Sequence, residues 1–90
     1  MLDRAAKEKI IAKFKTHDKD TGSPQVQIAI LTAEIKDLSD HLLMHKKDFS
    51  SRKGLLRKVG ERRRLLKYLA RESKKAHDEL VEKLKLKAKK

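Results

Sequence analysis

The sequence predicts an all-α protein of four helices, and three features lead to that reading. One proline and three glycines among 90 residues leave few positions that break a helix. Ala, Leu, Lys, Glu and Arg, all good helix formers, recur throughout the chain. Apolar residues return at three- and four-residue spacing, and no stretch alternates with the period of two that a half-buried strand requires.

The first helix falls within residues 3–15, where Ile10, Ile11 and Phe14 are helically spaced and Asp3 suits the positive end of the helix dipole. Three or four turns with so little apolar surface are marginal alone, so this helix must lean on the others. After the polar break from His17 to Asp20, Thr21, Gly22, Ser23 and Pro24 form the strongest boundary signal. Ser23 can cap a helix, and Pro24 can occupy its first turn, where a missing N–H costs nothing. The second helix runs from there to about Leu43. Its stripe of Ile28, Leu31, Ile35, Leu38 and Leu42 suits shallow packing on a partner helix. Val26, Ile30 and Ala33 form another patch, which the first helix is expected to cover.

Met44 to Asp48 is a link so short that the two long helices flanking it must lie antiparallel as a hairpin. Asp48 is placed to cap the third helix, which ends near Glu72, where Ser73 can cap a last helix carrying Ala76, Leu80, Val81 and Leu84. The terminal KLKLKAKK is expected to fray. The expected organisation is one domain over residues 1–90 with flexible ends at 1–2 and about 86–90. A short N-terminal helix packs against the hairpin, and a short C-terminal helix completes the fold.

Twenty-five Lys and Arg against thirteen Asp and Glu give a formal charge of +12. Such an excess calls for a polyanionic partner, with nucleic acid the first candidate. A chain this short has little room for a large catalytic cavity. It has no cysteine, which excludes disulfides and thiolate metal sites. Only Phe14, Phe49 and Tyr68 are aromatic, a poor endowment for a membrane-surface helix. No apolar run reaches the length of a membrane span and the start lacks a signal peptide's apolar core, so a cytoplasmic protein without membrane partners is expected.

The charge concentrates between His45 and Arg71. On a helical wheel Leu55, Val59, Leu66 and Leu69 share one stripe, while Arg57, Arg64, Tyr68 and Arg71 fall opposite with Lys53 beside them. A solvated surface usually mixes signs; this one has the single acid Glu61 between Arg52 and Arg71. Tyr68, flanked by Arg64 and Arg71, is either half-buried with its hydroxyl in water or a platform for an unpaired base. Thr21, Gly22 and Ser23 read as a cap and turn, or as a place where backbone approaches phosphate at a helix start. Gln27, Glu34 and His41 follow on one polar flank and suggest a second line of contact. Asp48 and Ser51 can cap the helix and also exchange hydrogen bonds with base edges or 2′-hydroxyls. His41 and His45, one turn apart near Asp48, have a metal-like spacing but lack further ligands, their neighbours being Lys46 and Lys47. No metal or cofactor is expected.

The segments DTGSPQVQIAILT and HKKDFSSRKGLLRKVGERRRLLKYLAR, with a weaker LVEKLKL, closely resemble the bacterial family of ribosomal protein fifteen of the small subunit. The resemblance implies a four-helix binder of 16S ribosomal RNA that acts early in assembly and grips a three-way junction and a nearby irregular stretch of one arm. By motif, the junction site is implied to use Thr21, Gly22, Gln27, Arg64, Tyr68 and Arg71. The arm site is implied to use His41, Asp48 and Ser51, supported by His45 and the adjacent lysines. Implied partners are 16S ribosomal RNA, neighbouring small-subunit proteins and large-subunit RNA at an intersubunit bridge; the free protein is expected to be monomeric. The chain departs from the family's usual pattern at Glu34, where arginine is common, at Phe49 and Ser50, which replace a histidine pair, at His77, where tyrosine is frequent, and at Lys85, where glycine is. The rival readings are a small helical DNA-binding protein, which would need a short recognition helix and usually a dimer interface, and a metal-dependent hydrolase built on His41 and His45.

Overall fold

The computed structural model describes residues 3–15 and 22–84, so Thr21, the terminal segments at 1–2 and 86–90 and the departure at Lys85 lie outside the described residues. Four helices make up the described chain: α1 (Arg4–Phe14), α2 (Pro24–Met44), α3 (Phe49–Glu72) and α4 (Lys74–Leu84). Each begins where a short polar side chain can satisfy an orphan N–H. Asp3 Oδ1 accepts from Ala6 at 2.8 Å, Ser23 Oγ from Val26 at 3.3 Å, Asp48 Oδ1 from Ser51 at 3.0 Å and Ser73 Oγ from Ala76 at 3.2 Å.

Helices α2 and α3 form the antiparallel hairpin. His41 meets Asp48 beside the link, Lys58 Nζ donates to Glu34 at 3.2 Å further along, and Arg62 Nη1 donates to Thr32 Oγ1 at 3.3 Å beyond that. Partners that recede from the link on both helices together are the signature of antiparallel packing. Ile28 of α2, Leu69 of α3 and Leu80 of α4 form the buried centre, with Phe14, Leu65, Leu66, Ala76 and Leu84 packed around it. Burying each large aliphatic side chain of this kind contributes about 1.5–3 kcal/mol.

The N-terminal helix packs on α2 alone among the long helices. Its own residues are at most half-buried. It is held at its end by α4, whose Lys83 Nζ lies 4.8 Å from the centre of the Phe14 ring and donates to the Lys13 carbonyl at 3.2 Å. Because α1, α3 and α4 gather around the first half of α2, Val26, Ile28, Ala29 and Leu31 are all buried there. Nearer the link, Ile35, Leu38 and Leu42 of the same stripe are only half-buried, since α3 is the single helix left to cover them.

The polar flank along α2 needs a correction. Glu34 is not on a line of contact with Gln27 and His41 but is 5% exposed, beneath Lys58 of α3 at 3.2 Å and Lys7 of α1 at 4.0 Å. It sits at the boundary between the stripe facing α3 and the patch facing α1, and both neighbours close over it. The carboxylate links two helices to a third.

Candidate nucleic-acid interface

Two groups of polar side chains are assembled on the hairpin, near its opposite ends. The first surrounds a shallow cleft between α2 and α3 lined by Gln27, Glu61, Arg64, Leu65 and Tyr68. Gln27 lies just inside α2 because Ser23 and Pro24 start that helix, and its Nε2 donates to the Gly22 carbonyl at 2.6 Å. That bond ties the side chain to the turn before the helix. Arg64 and Tyr68 stand one turn apart on the exposed side of α3, with Tyr68 44% exposed. Leu65 and Leu66, next to them in sequence, turn inward and fix the orientation of that side. The aromatic ring thus borders open space beside a guanidinium, an arrangement suited to stacking an unpaired base.

Arg71 is also exposed, in the last turn of α3, but it does not line the cleft. Glu61, which the sequence marked only as the solitary acid of the ridge, does line it. Its spacing, three residues before Arg64 and seven before Tyr68, was the available signal. Arg62, although part of the run of arginines, turns toward α2 and Thr32, and its partial burial lowers its pKa from the ordinary value.

The second group sits where the link enters α3. Asp48 is its hub: Oδ1 accepts the Ser51 N–H, while Oδ2 accepts the Ser51 hydroxyl at 2.6 Å and pairs with His41 Nε2 at 2.8 Å. These bonds, the Ser51 hydroxyl foremost and His41 next, hold the Asp48 carboxyl well below the usual carboxylate range. His45 stacks on His41 with ring centres 4.5 Å apart. Arg52 Nη2 donates to the Lys46 carbonyl at 2.9 Å, which commits that cation to shaping the link. Lys46, Lys47 and His45 remain exposed beside Asp48.

The cap and the contact roles of Asp48 are therefore compatible, since the same carboxylate orders Ser51 and His41 while all three border solvent. His41 Nε2 is engaged by Asp48, and the two imidazoles stack on one another. Among the described residues no group of three or more His, Asp or Glu is placed to hold a metal ion. Nor is any described helix long and apolar enough to cross a membrane. Seventeen residues of α3 separate Ser51 from Tyr68, roughly 25 Å along the helix axis. Two such groups on one hairpin can contact two places on a single extended polyanion.

Comparison with known proteins shows what this chain is similar to. A family profile described as Ribosomal protein S15 matches residues 7–87. The small ribosomal subunit protein uS15 of Campylobacter lari is 54% identical over 88 residues, covering 98% of each chain. Its counterpart in Thermoanaerobacter sp. is 55% identical over 86 residues, covering 96% of this chain and 98% of the relative. That of Limosilactobacillus reuteri is 51% identical over 83 residues, covering 92% and 93%.

Proposed function

Because the chain belongs to the ribosomal protein S15 family, we propose that it is a structural constituent of the small ribosomal subunit that binds 16S ribosomal RNA at a three-way junction and an adjacent arm. In this reading it nucleates assembly of the surrounding subunit, acts from the cytoplasmic ribosome, and carries out no catalysis. It contacts neighbouring small-subunit proteins, lies near a bridge to large-subunit RNA, and is monomeric before it binds.

The observation that supports this most strongly is how the site residues are grouped. Gln27, Arg64 and Tyr68 border one cleft, with Gly22 tied to Gln27, and His41, His45, Asp48 and Ser51 form one network at the other end of the hairpin. These are the side chains that the family resemblance assigns to the junction and the arm. Thr21 and Arg71 extend the junction group by the same assignment.

The chemistry follows from the residue types. Lysines and arginines neutralise phosphates and release counterions, which provides most of the affinity and makes it depend on salt. In the deep, narrow groove of A-form RNA base edges are hard to reach, so discrimination comes from junction shape, 2′-hydroxyls and unpaired bases. Tyr68 offers the stacking surface for such a base. At the arm, His41 and Ser51 are held by Asp48 before RNA arrives, so little side-chain freedom is lost on binding.

The test is competition between a small-subunit three-way junction and a plain RNA duplex of equal length, at two salt concentrations. The proposal expects a junction preference that persists at the higher salt. Equal binding that collapses with salt would leave only a basic surface and withdraw the site assignments.

A further inference from the structure

Glu61 is out of keeping with its surroundings. It is the only acid on the cationic stretch from Arg52 to Arg71, yet it lines the cleft with Arg64 and Tyr68. Arg57 precedes it by one turn and Arg64 follows by one turn, the spacing at which helical ion pairs form. Neither pairs with it: among the described residues no ion pair involves Glu61. The Arg64 guanidinium instead lies back over Gly60, its Nη1 3.7 Å from where a Cβ on that glycine would stand. Across the cleft, Gln27 has committed its amide nitrogen to the Gly22 carbonyl, and among the described residues its oxygen has no hydrogen-bond partner. The wall thus offers a free carboxylate and an amide oxygen, both acceptors.

A carboxylate in that place repels phosphate, so it opposes binding of a bare RNA backbone. It favours binding only where the ligand brings hydrogen-bond donors. Glu61 and Tyr68 are seven residues apart on one side of α3, roughly 10 Å along the axis. A purine stacked on Tyr68 can therefore extend its edge toward Glu61. Among the four bases guanine alone presents two adjacent donors on its pairing edge, N1–H and the 2-amino group, which match the two oxygens of a carboxylate. Adenine and cytosine place an acceptor beside their amino donor, and uracil places its N–H between two carbonyls.

We propose that Glu61 is a specificity-determining residue of the cleft, its carboxylate accepting hydrogen bonds from the pairing edge of an unpaired guanine stacked on Tyr68. This rests on RNA binding at the junction cleft and names the nucleotide that the cleft selects. Simple charge removal and loss of a guanine contact predict opposite outcomes, which makes the inference testable. Removing a negative charge alone tightens binding to every RNA alike.

The experiment titrates the full-length protein and its Glu61→Gln and Glu61→Ala variants with three RNAs: a three-way junction whose unpaired nucleotides are guanines, the same junction with inosine in their place, and a plain duplex. Inosine keeps N1–H and lacks the 2-amino group. The expected result is that the unmodified protein binds the guanine junction about tenfold more tightly than the inosine junction. In both variants that ratio falls toward one while duplex binding tightens. A ratio near one in the unmodified protein, or a ratio that the variants preserve, overturns the role of Glu61. In either case a retained preference for junction over duplex leaves the junction reading standing. Loss of that preference in the unmodified protein overturns both together. Thermal melts of each variant confirm that the fold is intact, as expected for a substitution at a partly exposed helical position.

Discussion

Replacing Glu34 with alanine is predicted to loosen the attachment of α1 and α3 to α2 together. The Glu34 side chain is 7% exposed and lies 3.2 Å from Lys58 Nζ, itself 21% exposed, and 4.0 Å from Lys7 Nζ, which is 44% exposed. Removing one member of a fully buried ion pair costs about 3–5 kcal/mol, because the remaining charge is left without compensation. Here both lysines can regain water, Lys7 more readily than Lys58, so the expected loss is about 1–3 kcal/mol. For a domain of this size each kcal/mol lowers Tm by roughly 4–8 °C. Thermal and urea unfolding of Glu34→Ala, combined with Lys58→Met and Lys7→Met in double-mutant cycles, measures the two couplings separately. The coupling to Lys58 should exceed that to Lys7, and Glu34→Arg, which places three cations together, should destabilise more than Glu34→Ala. A Glu34→Ala protein within about 0.5 kcal/mol of the parent, the range of ordinary surface changes, would show that the buried carboxylate does not fasten these helices.

Other outcomes follow from the same packing. Leu69→Ala, at the meeting of three helices, should cost about 2–5 kcal/mol in chemical denaturation, while Leu38→Ala, half-buried near the link, should cost clearly less. Tyr68→Ala should weaken junction binding by about 1–3 kcal/mol if a base stacks on the ring, with thermal stability little changed; unaltered affinity would remove Tyr68 from the site. The depressed pKa of Asp48 has its own signature: its contribution to stability is complete above the unfolded carboxyl value of about 3.9 and is lost as pH falls through the lower folded value. Asp48→Asn should therefore flatten the acid limb of the stability profile below about pH 4. Parallel profiles for the two proteins would refute this.

Much of the fold was legible because its determinants are local. Ser23, Asp48 and Ser73 cap helices through chemistry contained within four residues, and the link before Asp48 is too short for any arrangement but an antiparallel hairpin. The grouping of His41 with Asp48 and Ser51 was implied by the family resemblance, and the same short link is what brings the three together. Glu34 was misread because its partners stand far away in sequence, on helices whose placement no wheel of α2 reveals. Ile35, Leu38 and Leu42 looked equal to Ile28 in the stripe, but burial depended on where α1 and α4 came to rest. Glu61 was visible as an anomaly of charge, and only the cleft shared with Gln27 gives it a role to test.

In the proposed function one hairpin presents two separate contact lines to one RNA. The measurement that tests it most directly is the affinity of the protein, Tyr68→Ala and His41→Ala for three RNAs: the junction alone, the arm alone, and the two joined in their natural geometry. The joined RNA should bind more tightly than either part, Tyr68→Ala should weaken binding to the junction but not the arm, and His41→Ala should do the reverse. A joined RNA that binds no better than the junction alone, or a Tyr68→Ala variant equally weakened toward both parts, would contradict it.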